Sequence, residues 1–152
     1  MSDWQKIPSY KTCFVCGDDN PIGLKLQFRR DGKTARAEFT PTKFYQGYSG
    51  VVHGGIIATI LDEAMGYATR CANMNCVTAS MQTRLRRPAL IGEPLIITSS
   101  MTENRRRLVT TKATVSLKDG TAVAEATARQ FVIDQKPKKT SPEGEKNAWK
   151  QG

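Results

Sequence analysis

The sequence predicts an α+β domain in which an antiparallel sheet of five or six strands curves around one long central helix. Three observations carry this. Only one stretch, Ile56 to Ala68, repeats its apolar residues at helical spacing over several turns. On both sides of it apolar and polar residues alternate with a period of two, broken by the hairpin signals Asp31-Gly32 and Asp119-Gly120. A length of 152 residues suits one domain, and a lone long helix in such a chain needs a sheet to wrap it.

Residues 1–11 read as an N-terminal extension, 12–134 as the folded domain and 135–152 as a disordered basic tail, rich in Lys and Pro and without apolar period. Asn20-Pro21-Ile22-Gly23 is a turn signal, after which Leu24, Leu26 and Phe28 alternate with Lys25, Gln27 and Arg29 as the first strand. Ala35, Ala37 and Phe39 alternate with Arg36 and Glu38 in the second, which Pro41 ends. A glycine-rich and aromatic loop from Thr42 to Val52 leads into the helix. There Ile56, Ile57, Ile60, Leu61, Ala64, Met65 and Ala68 gather on one side at about 100° per residue. Asp62 projects from the opposite side among the small residues Ala58, Gly66 and Thr69. Asn73 to Cys76 reads as a loop, and Val77 opens a strand that runs to Arg87 before Pro88. Further strands begin at Leu95, run from Leu108 to Leu117, and close the sheet from Ala122 to Ile133.

The formal charge is +9, partly from lysines of the tail. Arg84, Arg86, Arg87, Arg105, Arg106, Arg107 and Lys112 suit a ligand with phosphates, or a solvated basic face. No interleaved aromatic platform accompanies them, so nucleic acid is not expected as a partner. No apolar run approaches the roughly 20 residues of a membrane span, and the first residues lack the apolar stretch of a signal peptide. The expected location is cytoplasmic, where the four cysteines remain thiols. Cys13-Phe14-Val15-Cys16-Gly17 has the form of half a zinc knuckle. Its only companions, Cys71 and Cys76, have the wrong spacing and lie beyond the helix, so no metal is expected there.

Gly54 and Gly55 fall where the helix begins, and the first amide N–H groups there have no carbonyl partner within the helix. Without side chains in the way they can meet an anion, or a carbonyl oxygen gaining negative charge. The plainer reading is a tight turn into a packed helix. His53 is the only histidine, which removes a Ser-His or multi-His metal scheme within one chain.

The sequence His53-Gly54-Gly55, then an apolar helix with a carboxylate at Asp62, resembles the hotdog-fold acyl-CoA thioesterases of the phenylacetate-pathway type. The preceding Phe44-Tyr45-Gln46-Gly47-Tyr48-Ser49-Gly50 is similar to the branch that includes human thioesterase superfamily member four. Cys13 to Leu24 also resembles the front of many bacterial hotdog proteins, which implies a structural turn there. The resemblance covers roughly residues 12–134 and implies a hotdog fold, an acyl-CoA substrate and hydrolysis without metal or organic cofactor. It implies Asp62 as the catalytic carboxylate, Gly54 and Gly55 as amide donors, and His53 holding the glycine turn. Thr78 and Ser80 match positions of hydroxyl residues that assist water or substrate. Where the family carries an Asn or Gln that helps hold the thioester, this chain has Gly47, which leaves Gln46, the backbone and His53. Glu63 ranks below Asp62, because the family carboxylate lies nine residues after the histidine. Arg84, Arg86 and Arg87 are the expected contacts to coenzyme A.

Gly54 and Asp62 are eight residues apart, or roughly 12 Å along a helix at about 1.5 Å per residue. One helix cannot bring both to the same carbonyl carbon, whereas two antiparallel helices about a twofold axis can. A homodimer, or a dimer of dimers, is therefore expected. The alternative is a non-catalytic acyl-CoA binding or regulatory protein of the same fold, which Gly47 makes credible.

Overall fold

The computed structural model describes residues 5–134. The strands are β1 (Gln5–Lys6), β2 (Arg29–Asp31), β3 (Thr34–Phe39), β4 (Asn75–Leu85), β5 (Leu95–Arg105), β6 (Leu108–Leu117) and β7 (Ala122–Asp134). Between β3 and β4 lie a 3-10 turn, Lys43–Tyr45, and the helix α1, Gly54–Cys71. All seven strands join one antiparallel sheet in the order β1-β2-β3-β5-β6-β7-β4.

One face of the sheet packs on α1. Ala35 and Ala37 of β3, Ile97 of β5, Val115 of β6 and Ala124 and Ala126 of β7 are buried with Ile57, Ile60, Leu61, Ala64 and Met65 of the helix. The many alanines on the sheet let the helix backbone come close, while its own branched side chains fill the remaining space. Each fully buried Ile or Leu contributes about 1.5–3 kcal/mol against exposure. Two polar contacts fix the helix and the inner face. The buried Ser99 hydroxyl donates to the Ala64 carbonyl, and the Thr111 hydroxyl donates to Gln130 Oε1 at 2.9 Å.

The apolar stripe is buried as the spacing predicts, with Ile56 only partly covered and Tyr67 added to it. Tyr67 stacks on Phe28 with ring centroids 4.3 Å apart. The sheet has seven strands rather than five or six, because β1 lies in the segment expected as an extension. Two exposed polar residues there pair with Arg29 and Arg30, and Ile7 is buried behind them.

Leu24 to Phe28 does not form the expected strand. Leu24, Leu26 and Phe28 are buried in alternation, yet the Leu24 and Leu26 amides donate to the Phe14 and Val15 carbonyls of the cysteine turn. Lys25 takes a positive φ of 57°, which no ladder accommodates. The strand after the helix opens at Asn75, inside the expected loop. Residues 1–4 of the extension and the tail 135–152 lie outside the described residues.

Strand β4 lies at one edge of the sheet and, among the described residues, pairs only with β7. It is mostly exposed, including Val77, Met81 and Leu85. An open edge of eleven residues carrying apolar side chains is a template for pairing with another chain.

Candidate active site

The loop before α1 is folded on itself. Gln46 bridges to Val52, the Gly47 amide donates to the Val51 carbonyl at 2.9 Å, and Gln46 Oε1 accepts the Gly50 amide at 3.1 Å. Gly50 has a φ of 79°, a value that favours glycine. The Gln46 carbonyl expected to hold substrate is thus engaged in shaping the turn. A Cβ on Gly47 would lie 3.3 Å from both Cα and Cδ2 of His53, so the loop packs closely on the histidine at the position where the family carries a side chain.

His53 is the N-cap of α1, and its Nδ1 accepts the Gly55 N–H at 2.9 Å. Accepting at Nδ1 puts the proton of the neutral ring on Nε2. The histidine therefore takes one of the two amide donors expected for a ligand. Among the described residues the Gly54 N–H meets no acceptor. Gly54 lines a groove of about 550 Å³ together with Gly47, Tyr48, His53, Ile57, Leu85, Arg86 and Arg87. The free amide, at the positive end of an 18-residue helix, opens onto that groove.

Arg86 reaches the groove but is paired with Glu125 at 2.5 Å. This contact holds the Glu125 carboxyl below its ordinary range. Arg87, also in the groove, forms no close ion pair among the described residues, and its charge adds only a minor effect, behind the Thr121 hydrogen bonds, to holding the Asp119 carboxyl low. Arg84 stands opposite Glu125 in the register, outside the groove.

Asp62 sits two turns further along α1, half-buried, and its Oδ1 accepts the Thr78 hydroxyl at 2.8 Å. Thr78 is placed by the β4–β7 pairing opposite the buried Gln130. One extra residue, Ala79, then interrupts the register, and Ser80 stands opposite Arg129. Glu125, Thr127 and Arg129 alternate with the core residues Ala124, Ala126 and Ala128, so Ser80 belongs to the outer face. There it lines a shallow depression with Gln82, Thr110 and Arg129. In one chain the expected site residues thus form three groups. Gln46, Gly47, His53, Gly54, Gly55, Arg86 and Arg87 surround the helix start, Asp62 and Thr78 form a pair beyond the groove lining, and Ser80 and Arg84 lie apart.

Sequence reasoning missed a contact on the far flank of the helix. The Cys13 thiol donates to Glu63 Oε1 at 3.4 Å. Burial, with a smaller effect from Cys13, pushes the Glu63 carboxyl up to about 7. The Cys16 thiol beside it lowers Cys13 to about 5, and Cys16 is raised in turn. The Cys-x-x-Cys spacing was the only signal for this cluster; nothing in the spacing points to Glu63.

A long helix gripped on one side by a curved antiparallel sheet, with a glycine start and a carboxylate two turns on, defines a hotdog-type domain. The model of the Thioesterase superfamily matches residues 49–124, half of the 152-residue chain, and the chain belongs to that superfamily. Bos taurus acyl-coenzyme A thioesterase THEM4 is 30% identical over 131 residues, covering 84% of this chain and 53% of its own length. The chain thus spans about half the length of the curated relative it matches. A solved thioesterase superfamily protein superposes with a TM-score of 0.76 at 29% identity, over 80% of this chain and 60% of its own. The PaaI protein of the E. coli phenylacetic acid degradation operon gives 0.68 at 19% identity, over 73% and 81%, a likeness of fold.

Proposed function

We propose that this chain is an acyl-CoA thioesterase, hydrolysing the thioester to a free carboxylic acid and coenzyme A at sites shared between two copies. The observation that carries this reading is the free Gly54 N–H at the head of a groove, in a chain whose supported carboxylate lies two turns away. A second α1, antiparallel across the open edge of β4, brings the partner's Asp62 to that groove. The name of the bovine relative supports the same substrate class.

The thioester oxygen accepts the Gly54 N–H, which stabilises the negative charge that develops there. The partner's Asp62 takes a proton from water, and the oxygen of that water adds to the carbonyl carbon. When the C–S bond breaks, the thiolate of coenzyme A leaves and recovers the proton from Asp62. Thr78 occupies Oδ1 and so leaves Oδ2 for the water. Direct attack by Asp62 through a mixed anhydride is the other route. Both draw only on groups of the protein and water, with no cofactor in any step. Arg87, and Arg86 beside it, suit the phosphates of coenzyme A. The working form is a homodimer or a pair of such dimers, in the cytoplasm. Among the described residues no helix is long and apolar enough to cross a membrane.

A non-catalytic acyl-CoA binder is favoured by one observation, the absence of a side chain at Gly47 where the family holds the thioester. Thiol release from short, medium, long and aryl acyl-CoAs, measured for wild type and Asp62→Asn, separates the two. Turnover that survives the substitution rejects the assignment of Asp62. Tight binding without turnover establishes the binder instead.

A further inference from the structure

The turn between β1 and β2 brings two sulfurs against the flank of α1, away from the groove. Cys13 Sγ, Cys16 Sγ and a Glu63 carboxylate oxygen lie within 4.8 Å of one another, with Cys13 Sγ 3.4 Å from Oε1. A tetrahedral zinc site has ligands at about 2.3 Å for thiolate and about 2.0 Å for carboxylate, which sets an S···O edge of about 3.5 Å and an S···S edge of about 3.8 Å. The 3.4 Å S···O separation matches such an edge, and all three atoms lie within 4.8 Å, close enough to converge on one ion.

The backbone holds them there. The Gly17 amide closes the turn on the Cys13 carbonyl at 2.9 Å. The chain folds so tightly that a Cβ at Gly17 would lie 2.4 Å from the Lys11 carbonyl oxygen. The Leu24 and Leu26 amides pin Phe14 and Val15, the two residues between the cysteines, at 2.9 Å each.

A second observation points to a missing ligand. Among the described residues the buried Tyr67 hydroxyl, in a residue only 1% exposed, meets no partner in full hydrogen-bond geometry, and only the Cys16 thiol stands close enough to interact with it. A buried phenol without a partner is costly, but beside a metal-bound thiolate it becomes a donor to the sulfur, as the outer shells of metal sites commonly provide. Its ring is held by Phe28 and by the Arg70 guanidinium, 4.7 Å from the centroid.

We propose that Cys13, Cys16 and Glu63 bind one divalent cation of the zinc class, with Tyr67 as an outer-shell donor, clamping the N-terminal turn to α1. Two thiolates and a carboxylate select a borderline-soft tetrahedral ion over magnesium or calcium. Binding forms two S–metal bonds and one O–metal bond and releases to solvent the protons that Cys13, Cys16 and Glu63 carry at that pH, with no change of oxidation state. Arg70 offsets part of the remaining negative charge. The clamp is structural and stands whether or not the chain hydrolyses thioesters. It revises the expectation of a turn without metal, because the third ligand comes from the helix rather than from another cysteine pair.

The test uses the full chain, stripped with a chelator, kept reduced without added thiol, and titrated with Zn2+ and with Co2+. The expected result is one ion per chain, a thiolate-to-cobalt charge-transfer band, and a Tm that rises with zinc. Cys13→Ser, Cys16→Ser and Glu63→Gln each abolish stoichiometric uptake, Tyr67→Phe weakens it about tenfold or more, and Cys71→Ser and Cys76→Ser leave it unchanged. Circular dichroism identifies variants that keep their fold, and Glu63→Gln and Tyr67→Phe decide if the cysteine variants do not. A reduced, folded wild type that takes up neither ion overturns the proposal. So does uptake unaltered by Glu63→Gln, or a Cys13–Cys16 disulfide whose reduction restores no binding.

Discussion

The Thr78 hydroxyl donates to Oδ1 of Asp62 at 2.8 Å, joining the edge strand β4 to the exposed side of the helix. The bond engages one carboxylate oxygen, and the proposed reaction uses the other. Replacing the acid by Asp62→Asn removes the proton acceptor while keeping the shape, and is expected to lower kcat by about 10²–10⁴. Thr78→Val keeps the acid but frees its rotation, with an expected loss of about tenfold. Steady-state thiol release reads both. Equal losses from the two substitutions would contradict the division of labour described here.

The Gly54 N–H can be deleted without breaking the helix. Proline is tolerated at the first helical position, and His53 at φ −56° and ψ 130° already has the conformation that a residue before proline prefers. Gly54→Pro is expected to lower kcat by about 10²–10³. Gly54→Ala keeps the amide and only presses a methyl toward Leu85 Cδ1, 3.0 Å from the ideal Cβ. Its turnover should stay within a few-fold of wild type. If alanine is as damaging as proline, crowding of the groove and not the lost donor explains the effect.

The proposed sharing of sites between copies makes a quantitative prediction for mixtures. Gly54→Pro and Asp62→Asn chains, each nearly inactive, are mixed in equal amounts and allowed to exchange subunits. Half of the dimers become mixed, and each mixed dimer has one intact site, so about a quarter of wild-type activity returns. An activity that stays at the level of the separate variants would place both groups of each site within one chain.

The inner face carries one polar pair with a measurable stabilising role. Thr111 donates to Gln130 Oε1, and both residues are buried, at 0% and 1% exposure. Thr111→Val strands the carbonyl oxygen and is expected to cost about 1–3 kcal/mol, or about 3–10 °C in Tm. Adding Gln130→Leu should recover most of that loss by removing the stranded group. Calorimetry of the single and double variants checks both statements.

The long helix was legible because Ile57, Ile60, Leu61, Ala64 and Met65 repeat at one period and do face the sheet. Burial at Leu24, Leu26 and Phe28 was legible for the same reason, but their pairing was not. Alternation records which face is covered, not where the amides go, and here they go to the cysteine turn. Strand β1 left no trace, since Gln5 and Lys6 are polar, exposed and held only by their partners. That Ser80 faces away from Thr78 was not legible, because a single inserted residue, Ala79, shifts the register between them. Cys13 meets Glu63 across 50 positions, a separation over which no local pattern survives.

His53 caps the helix through one ring nitrogen, beside the free Gly54 amide of the groove, and the protein contains no other imidazole. Nitrogen-15 labelling therefore gives a magnetic-resonance signature with a single tautomer to assign. Any occupant of the groove that disturbs the helix start should shift that resonance, so arrival of a ligand could be followed at one atom without attaching a dye.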